Sequence, residues 1–369
     1  MASEQQPPSA TKIDDSNGVM HFPIGKSRLE REALLKYRLE ECEPVYTHKR
    51  FREWAEYIFY INGKGFTQEV QTFDAQGNNK KILVRAGGPP KQVMLPSYHQ
   101  WAVLDFIQPC SSPGFQNMLF RLFDAPERQQ PEQCCKYVKE ENLKQLWVGW
   151  QQSPFCKQVI EHITKNAYNM AVVENFVCFG LGPIEESDDP EDHIQRTFLQ
   201  HAMAVEIRDA LVRTQRKEDL LFQIPIAVQD PRYCKNCVRL LLDVLKVGVM
   251  NTPTGFPTVD KTTFVISKAP SVCVRQIVAD LTADAGGPAG MLCDPIEDNG
   301  LDEMAHNQHS DPSSPRLWDF KERNKELELM LDDTEDKIKY MTDDVPPVEV
   351  DGLPNRVFDD VGLYLRKRA

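Results

Sequence analysis

The stretch Asn175-Phe176-Val177-Cys178-Phe179-Gly180-Leu181-Gly182-Pro183 decides the fold. Its first five residues carry four apolar side chains in a row with no alternation, the pattern of a strand covered on both faces. Gly180, Gly182 and Pro183 then mark a tight turn. Asp189-Pro190-Glu191-Asp192 opens a helix, which Ile194, Phe198, Met203, Ile207 and Leu211 continue at helical spacing. A buried strand, a glycine turn and a long helix make the first half of a βαβ unit.

The same alternation repeats downstream. Residues 224–228 read as a second strand ending at Asp230-Pro231, and Val238, Leu241, Leu242 and Leu245 mark the next helix. Residues 247–250 and 263–267 are further strands, 274–281 a helix, and 290–293 a fifth strand entered through the glycine-rich turn at 286–290. Upstream, Leu143, Leu146, Trp147 and Trp150 predict one helix. Ser153-Pro154 is an N-cap and N1 pair for a second, with Val159, Ile160 and Ile163 on one face. The expectation for residues 140–300 is therefore an α/β domain: a Rossmann-like, mostly parallel sheet of about five strands with helices on both faces.

The flanks read differently. Residues 1–25 are polar and proline-rich and are expected to be disordered. Residues 26–135 form an N-terminal α+β extension: a helix from the capping box at Ser27, and another carrying Phe51, Trp54, Tyr57 and Ile58. A hairpin of residues 66–73 and 81–84 turns at Gln76-Gly77-Asn78-Asn79. The proline-rich stretch 87–131 suits no single element. Residues 294–313 are expected to be disordered. Residues 301–369 read as an acidic tail with an amphipathic helix over 315–341, built on a three-four repeat from Leu317 to Met341. Such a helix packs back on its own domain or docks to a partner.

The net charge is −12, and between residues 297 and 344 fifteen Asp/Glu stand against six Lys/Arg, which accounts for −9 of it. No basic stripe tracks a phosphate backbone, so nucleic acid is not an expected partner. The N-terminus has no apolar core of a secretory signal, and no apolar run of about eighteen residues occurs, so no membrane span is expected. Ten cysteines then read as reduced thiols, with cytoplasm, nucleus or both as the compartment.

Gly180, Leu181 and Gly182, with Asp230 at the end of the next strand, are the candidate cofactor-binding residues. In doubly wound sheets ligands bind beyond the carboxyl ends of strands, where glycines admit a close approach and an acid accepts ribose hydroxyls. The pattern departs from the dinucleotide fingerprint. A third glycine is missing, and Asp230 lies 48 residues after Gly182, where the fingerprint expects about 20. Glu185, Glu186, Asp188, Asp189, Glu191 and Asp192 crowd the turn, with no Lys or Arg before Arg196. They oppose a phosphate and suit a neutral or cationic ligand such as S-adenosylmethionine. The alternative is that the glycines serve only the turn.

Cys234-Lys235-Asn236-Cys237 lacks the second pair that a structural zinc site needs. It reads as incidental thiols at a helix start, with redox or metal roles as alternatives. His162, His193 and His201 read as partly exposed helix residues. No P-loop, nucleophile elbow or HExxH motif occurs, so no catalytic residue is named.

Five pieces in order resemble a known family. They are Ser153-x-Phe155, Val177-Cys178-Phe179-Gly180-Leu181-Gly182, Gln200-His201-Ala202-Met203-Ala204, Asp230-Pro231, and residues 263–270 followed by Cys273. Together they resemble the SRR (sensitivity to red light reduced) domain over residues 140–300. Val265-Ile266-Ser267-Lys268-Ala269-Pro270 is most similar to its fungal members. The resemblance implies a cytoplasmic or nuclear protein from a family tied to circadian and light responses in plants, microtubule-related phenotypes in yeast and haem-linked regulation in animals. It implies no established catalytic activity and no known cofactor. The plant and animal pattern carries a Pro-His-Cys-Pro stretch near the fourth strand. Here Ala269-Pro270-Ser271-Val272-Cys273 has no histidine, so no role of that histidine carries over.

Two functions follow as expectations. One is a non-enzymatic regulatory protein whose acidic tail and 315–341 helix meet protein partners. The alternative is an S-adenosylmethionine- or nucleotide-binding enzyme, of methyltransferase type, using the Gly180–Gly182 turn and Asp230.

Overall fold

The computed structural model describes residues 46–49, 51–52, 68–73, 79–84, 91–94, 121–124, 138–184, 190–216, 223–270, 272–297, 311, 313–332 and 357–368. In the N-terminal part, β1 (Gln68–Phe73) and β2 (Asn79–Val84) pair antiparallel as the hairpin reading expects, with Phe73 opposite Asn79. The proline-rich stretch contributes a second antiparallel pair, β3 (Lys91–Met94) with β4 (Arg121–Asp124). The helix expected from Ser27, the helical positions Trp54 to Ile58, and the turn at 76–78 lie outside the described residues.

From residue 138 the chain alternates as expected. Helix α1 (Glu140–Trp150) is followed by α2 (Pro154–Asn166), where the Ser153 hydroxyl accepts the Cys156 amide at 3.1 Å and Pro154 takes the first helical position. Strand β5 (Asn175–Phe179) leads through the glycine turn to α3 (Pro190–Gln215) and β6 (Ile226–Gln229). Helix α4 (Lys235–Leu240) runs on as one π-helical turn, Leu241–Leu245, before β7 (Gly248–Val249). Then come β8 (Thr263–Ser267), α5 (Val274–Leu281) and β9 (Gly290–Cys293). The five expected strands lie in the order β9-β8-β5-β6-β7, all parallel. The order reverses between β5 and β8.

The sheet has seven strands rather than about five. Helix α6 (Pro315–Asn324) is followed by β10 (Leu329–Asp332), and β11 (Asp360–Leu365) lies between β10 and β9, antiparallel to both. The segment read as an acidic tail thus completes the domain. The amphipathic helix expected over 315–341 ends at Asn324. The Asn324 side chain donates through Nδ2 back to the Phe320 carbonyl at 2.6 Å and accepts the Lys367 amide on Oδ1 at 2.8 Å. Beyond it the apolar run 329–331 exchanges helix bonds for a ladder with β11. The expectation of disorder over 294–313 is also corrected where residues are described: Asp311 and Ser313 are buried.

Both faces of the sheet are covered, which explains the unbroken apolar strands. Phe176, Cys178, Phe264 and Ile266 pack toward α1–α4, while Val177, Phe179, Val265 and Cys293 face α5 and α6. Leu317 and Phe320 of α6 are buried there, so this helix packs on its own domain. Tyr46 and Phe51 reach the same face, where Phe256 stacks between Phe51 (4.9 Å) and Phe179 (4.4 Å). Each such aromatic pair contributes about 1 kcal/mol beyond its buried area.

Candidate functional site

The carboxyl end of the sheet, where the strand order reverses, is where a doubly wound sheet opens toward ligands. Here Gly180 and Gly182 have φ of +66° and +80°, a left-handed backbone that glycine adopts without strain. The path is also crowded. A Cβ on Gly180 would lie 3.0 Å from the Pro270 Cβ and 3.1 Å from its Cα, so the turns after β5 and β8 touch.

The turn amides are already engaged. Gly180 N donates to the Gln229 carbonyl at 3.1 Å, and Gly182 N donates to Asp230 Oδ2 at 3.0 Å. Asp230 Oδ1 accepts the Arg232 amide at 2.8 Å. The Gln229 side-chain oxygen accepts the Gly255 amide at 2.7 Å, which ties the end of β6 to the connection after β7. The structure therefore brings together all four residues singled out in the sequence, with Leu181 buried beneath the turn. Burial pushes the Asp230 carboxyl above its usual range, opposed by the Arg232 amide and guanidinium and by the Gly182 amide.

Sequence proximity missed two groups at this end. The Arg232 guanidinium lies 3.3 Å from where a Gly182 Cβ would stand, so a cation does reach the turn, from the β6–α4 connection. Residues 185–189, which carry most of the expected acidic crowd, lie outside the described residues. The second group is His201. Expected to be partly exposed, it is fully buried, with Nδ1 2.6 Å from the Thr197 carbonyl and Nε2 2.6 Å from the Tyr233 hydroxyl. A carbonyl only accepts, so Nδ1 carries the proton and Nε2 accepts from Tyr233. Burial lowers the His201 pKa to about 4 and raises that of Tyr233. The pair is a neutral, closed hydrogen-bond chain beneath Asp230-Pro231. The signal available in sequence was the 201–205 run of buried-type residues, which places His201 on the core face of α3.

Residues 357–359 close the α2–α3 corner. Arg196 donates to the Val357 carbonyl at 3.2 Å and pairs with Asp359, Gln200 donates to the same carbonyl at 2.6 Å, and Phe358 stacks on Phe155 at 5.3 Å. On the opposite face Lys268 pairs with Asp294 and donates to the Asp360 carbonyl at 2.9 Å. Arg275 donates to the Asp294 and Pro295 carbonyls, both at 2.8 Å, and to Asp311. Among the described residues no group of three or more His, Cys, Asp or Glu is placed to hold a metal ion, and no helix is long and apolar enough to cross a membrane.

This arrangement is a set of strand ends tied to one another by their own amides and side chains. Chemically it offers hydrogen-bond acceptors already in use and a buried neutral imidazole that accepts from the Tyr233 hydroxyl. No curated protein matches the chain. A family model described as the SRR1 domain matches residues 155–364, more than half of the 369, from α2 through nearly all of β11. Strand β10 and all but the last residue of β11 fall inside that match, and the chain belongs to the SRR1 domain family.

Proposed function

We propose that this protein is a non-enzymatic regulatory member of its family, built on a Rossmann-like domain whose ligand crevice is closed by the protein's own groups. One observation carries the reading: the Gly180 and Gly182 amides, which a bound ligand would use, already donate to Gln229 and to the buried Asp230 carboxylate. Orphan amides at a strand-to-helix turn attract anions; satisfied ones have little to offer. Partner binding is assigned to the acidic segment 297–344, whose charge suits a basic protein surface. The cytoplasmic and nuclear placement, and the affinity to fungal members, belong to this reading through the family resemblance.

A second reading is favoured by the sheet order. Strands β7-β6-β5 on one side and β8-β9 on the other form the doubly wound arrangement whose reversal point receives nucleotides. In that reading an S-adenosylmethionine-like ligand displaces Asp230 from the turn amides, and the enzyme is of methyltransferase type. The test is a thermal-shift titration of the full chain with S-adenosylmethionine, ATP and NAD, with native mass spectrometry for co-purified ligand. The regulatory reading expects no shift and no bound mass. A stabilisation that disappears in Asp230→Asn overturns it in favour of the enzyme.

A further inference from the structure

The Cys-Lys-Asn-Cys motif finds no use in the reading above, yet the fold gives it a definite geometry. Cys234 is the N-cap of α4, in extended conformation, and its sulfur accepts the Cys237 amide at 3.4 Å. The two sulfurs are 3.5 Å apart, with the Cys234 thiol donating to Cys237 Sγ. A disulfide requires about 2.05 Å, so the pair lies roughly 1.5 Å from bonding. The two sulfurs already face each other across one turn at the helix start. We infer that Cys234 and Cys237 form a reversible dithiol–disulfide pair, a redox modification site beside the glycine turn.

The environment supports a division of roles. Cys237 is fully buried, with its sulfur 4.0 Å from the Ile184 carbonyl, while Cys234 keeps slight exposure between the exposed neighbours Arg232 and Lys235. Cys234 is therefore the entry sulfur and Cys237 the resolving one. With oxidised glutathione, the Cys234 thiolate attacks one glutathione sulfur, forming a mixed disulfide and releasing one glutathione thiolate. The Cys237 thiolate then attacks Cys234 Sγ, forms the internal bond and expels the second glutathione. Two electrons pass from the pair to the oxidant, and the two released thiolates take up the two protons the cysteines lose.

Oxidation removes both thiol donors, including the contact from Cys237 to Ile184 at the end of the glycine turn. The pair thus reports redox state to the same strand ends that hold Asp230.

The experiment equilibrates the full chain in glutathione buffers from reduced to oxidised, traps free thiols by acid and alkylation, and digests with trypsin. Cleavage after Arg232, Lys235 and Arg239 separates Cys234 and Cys237 onto peptides 233–235 and 236–239, which stay joined only by the new bond. The expected result is a joined peptide that accumulates with oxidation, a mass lower by about 2 Da, and full reversal by dithiothreitol. Cys237→Ser is expected to trap glutathione on Cys234, whereas Cys234→Ser leaves Cys237 unmodified. Serine at either position retains a polar side chain of similar size, and circular dichroism of each variant confirms the fold. Alkylation of both cysteines at every buffer ratio, or pairing of either with another cysteine, overturns the inference.

Discussion

Replacing Arg275 with Met tests how the segment after β9 is held. The guanidinium is buried and donates to the Asp294 and Pro295 carbonyls at 2.8 Å and to the Asp311 carboxylate at 3.3 Å. It also reaches the Asp311 carbonyl. The Arg275 amide meets the same carboxylate at 2.7 Å. Methionine fills most of the volume but leaves three carbonyls without a donor and a buried carboxylate without its cation. Breaking one side of such a pair costs about 3–5 kcal/mol, so a loss of about 4 kcal/mol at pH 7 is expected. The pH dependence makes the argument specific. Burial raises the Asp311 carboxyl from 3.8 in the unfolded chain to about 6, against the pull of Arg275. The folded state therefore holds the proton more tightly: the carboxylate of the ion pair is half-formed at pH 6, prevails at pH 7 and falls to about a tenth at pH 5. In Arg275→Met the carboxyl rises further, because its cation is gone. Near pH 5 both proteins carry a neutral Asp311, and only the carbonyl contacts separate them, about 2 kcal/mol. Urea unfolding at pH 7 and pH 5, followed by tryptophan fluorescence, reads both values. A loss below about 1 kcal/mol, or one equal at the two pH values, would refute the reasoning.

Gly180→Ala combines a left-handed backbone with a contact at 3.0 Å from Pro270, and about 2–4 kcal/mol of destabilisation is expected in urea unfolding. Tyr233→Phe removes the only hydroxyl shown to donate to His201 Nε2. It should cost about 1–2 kcal/mol while leaving circular dichroism unchanged, with the missing donor visible as a shift in the imidazole nitrogen resonances. Deleting residues 357–369 removes β11 from between β9 and β10, together with the buried Val361, Leu363 and Leu365. The product should lose its cooperative thermal transition, and a sharp transition near the full-length Tm would contradict the assignment of β11 to the domain.

The structure gives Asp230 partners within the chain. In the sequence it stands at a strand end where an acid meets a ribose. In three dimensions its carboxylate spans the Gly182 and Arg232 amides, linking the turn after β5 to the one after β6.

Local chemistry was enough to locate the parallel core. Apolar runs at 176–179, 264–266 and 291–293, bounded by turn residues, fit strands buried on both faces, and Ser153-Pro154 and Ser314-Pro315 start helices by capping, a property of a few adjacent residues. Such features depend on neighbours in the chain, so composition and periodicity reveal them. The strand order, β10 and β11, the burial of His201 and the placement of Arg232 over Gly182 were decided by contacts between residues far apart in sequence. β11 is the plainest case. The acidic composition around it masks its apolar alternation, and only the open edge of β9 makes residues 360–365 a strand. Helix α6 stops at Asn324 for the same reason. Its three-four repeat continues past that point, but residues 329–332 gain a strand partner in β11 that no helix offers them.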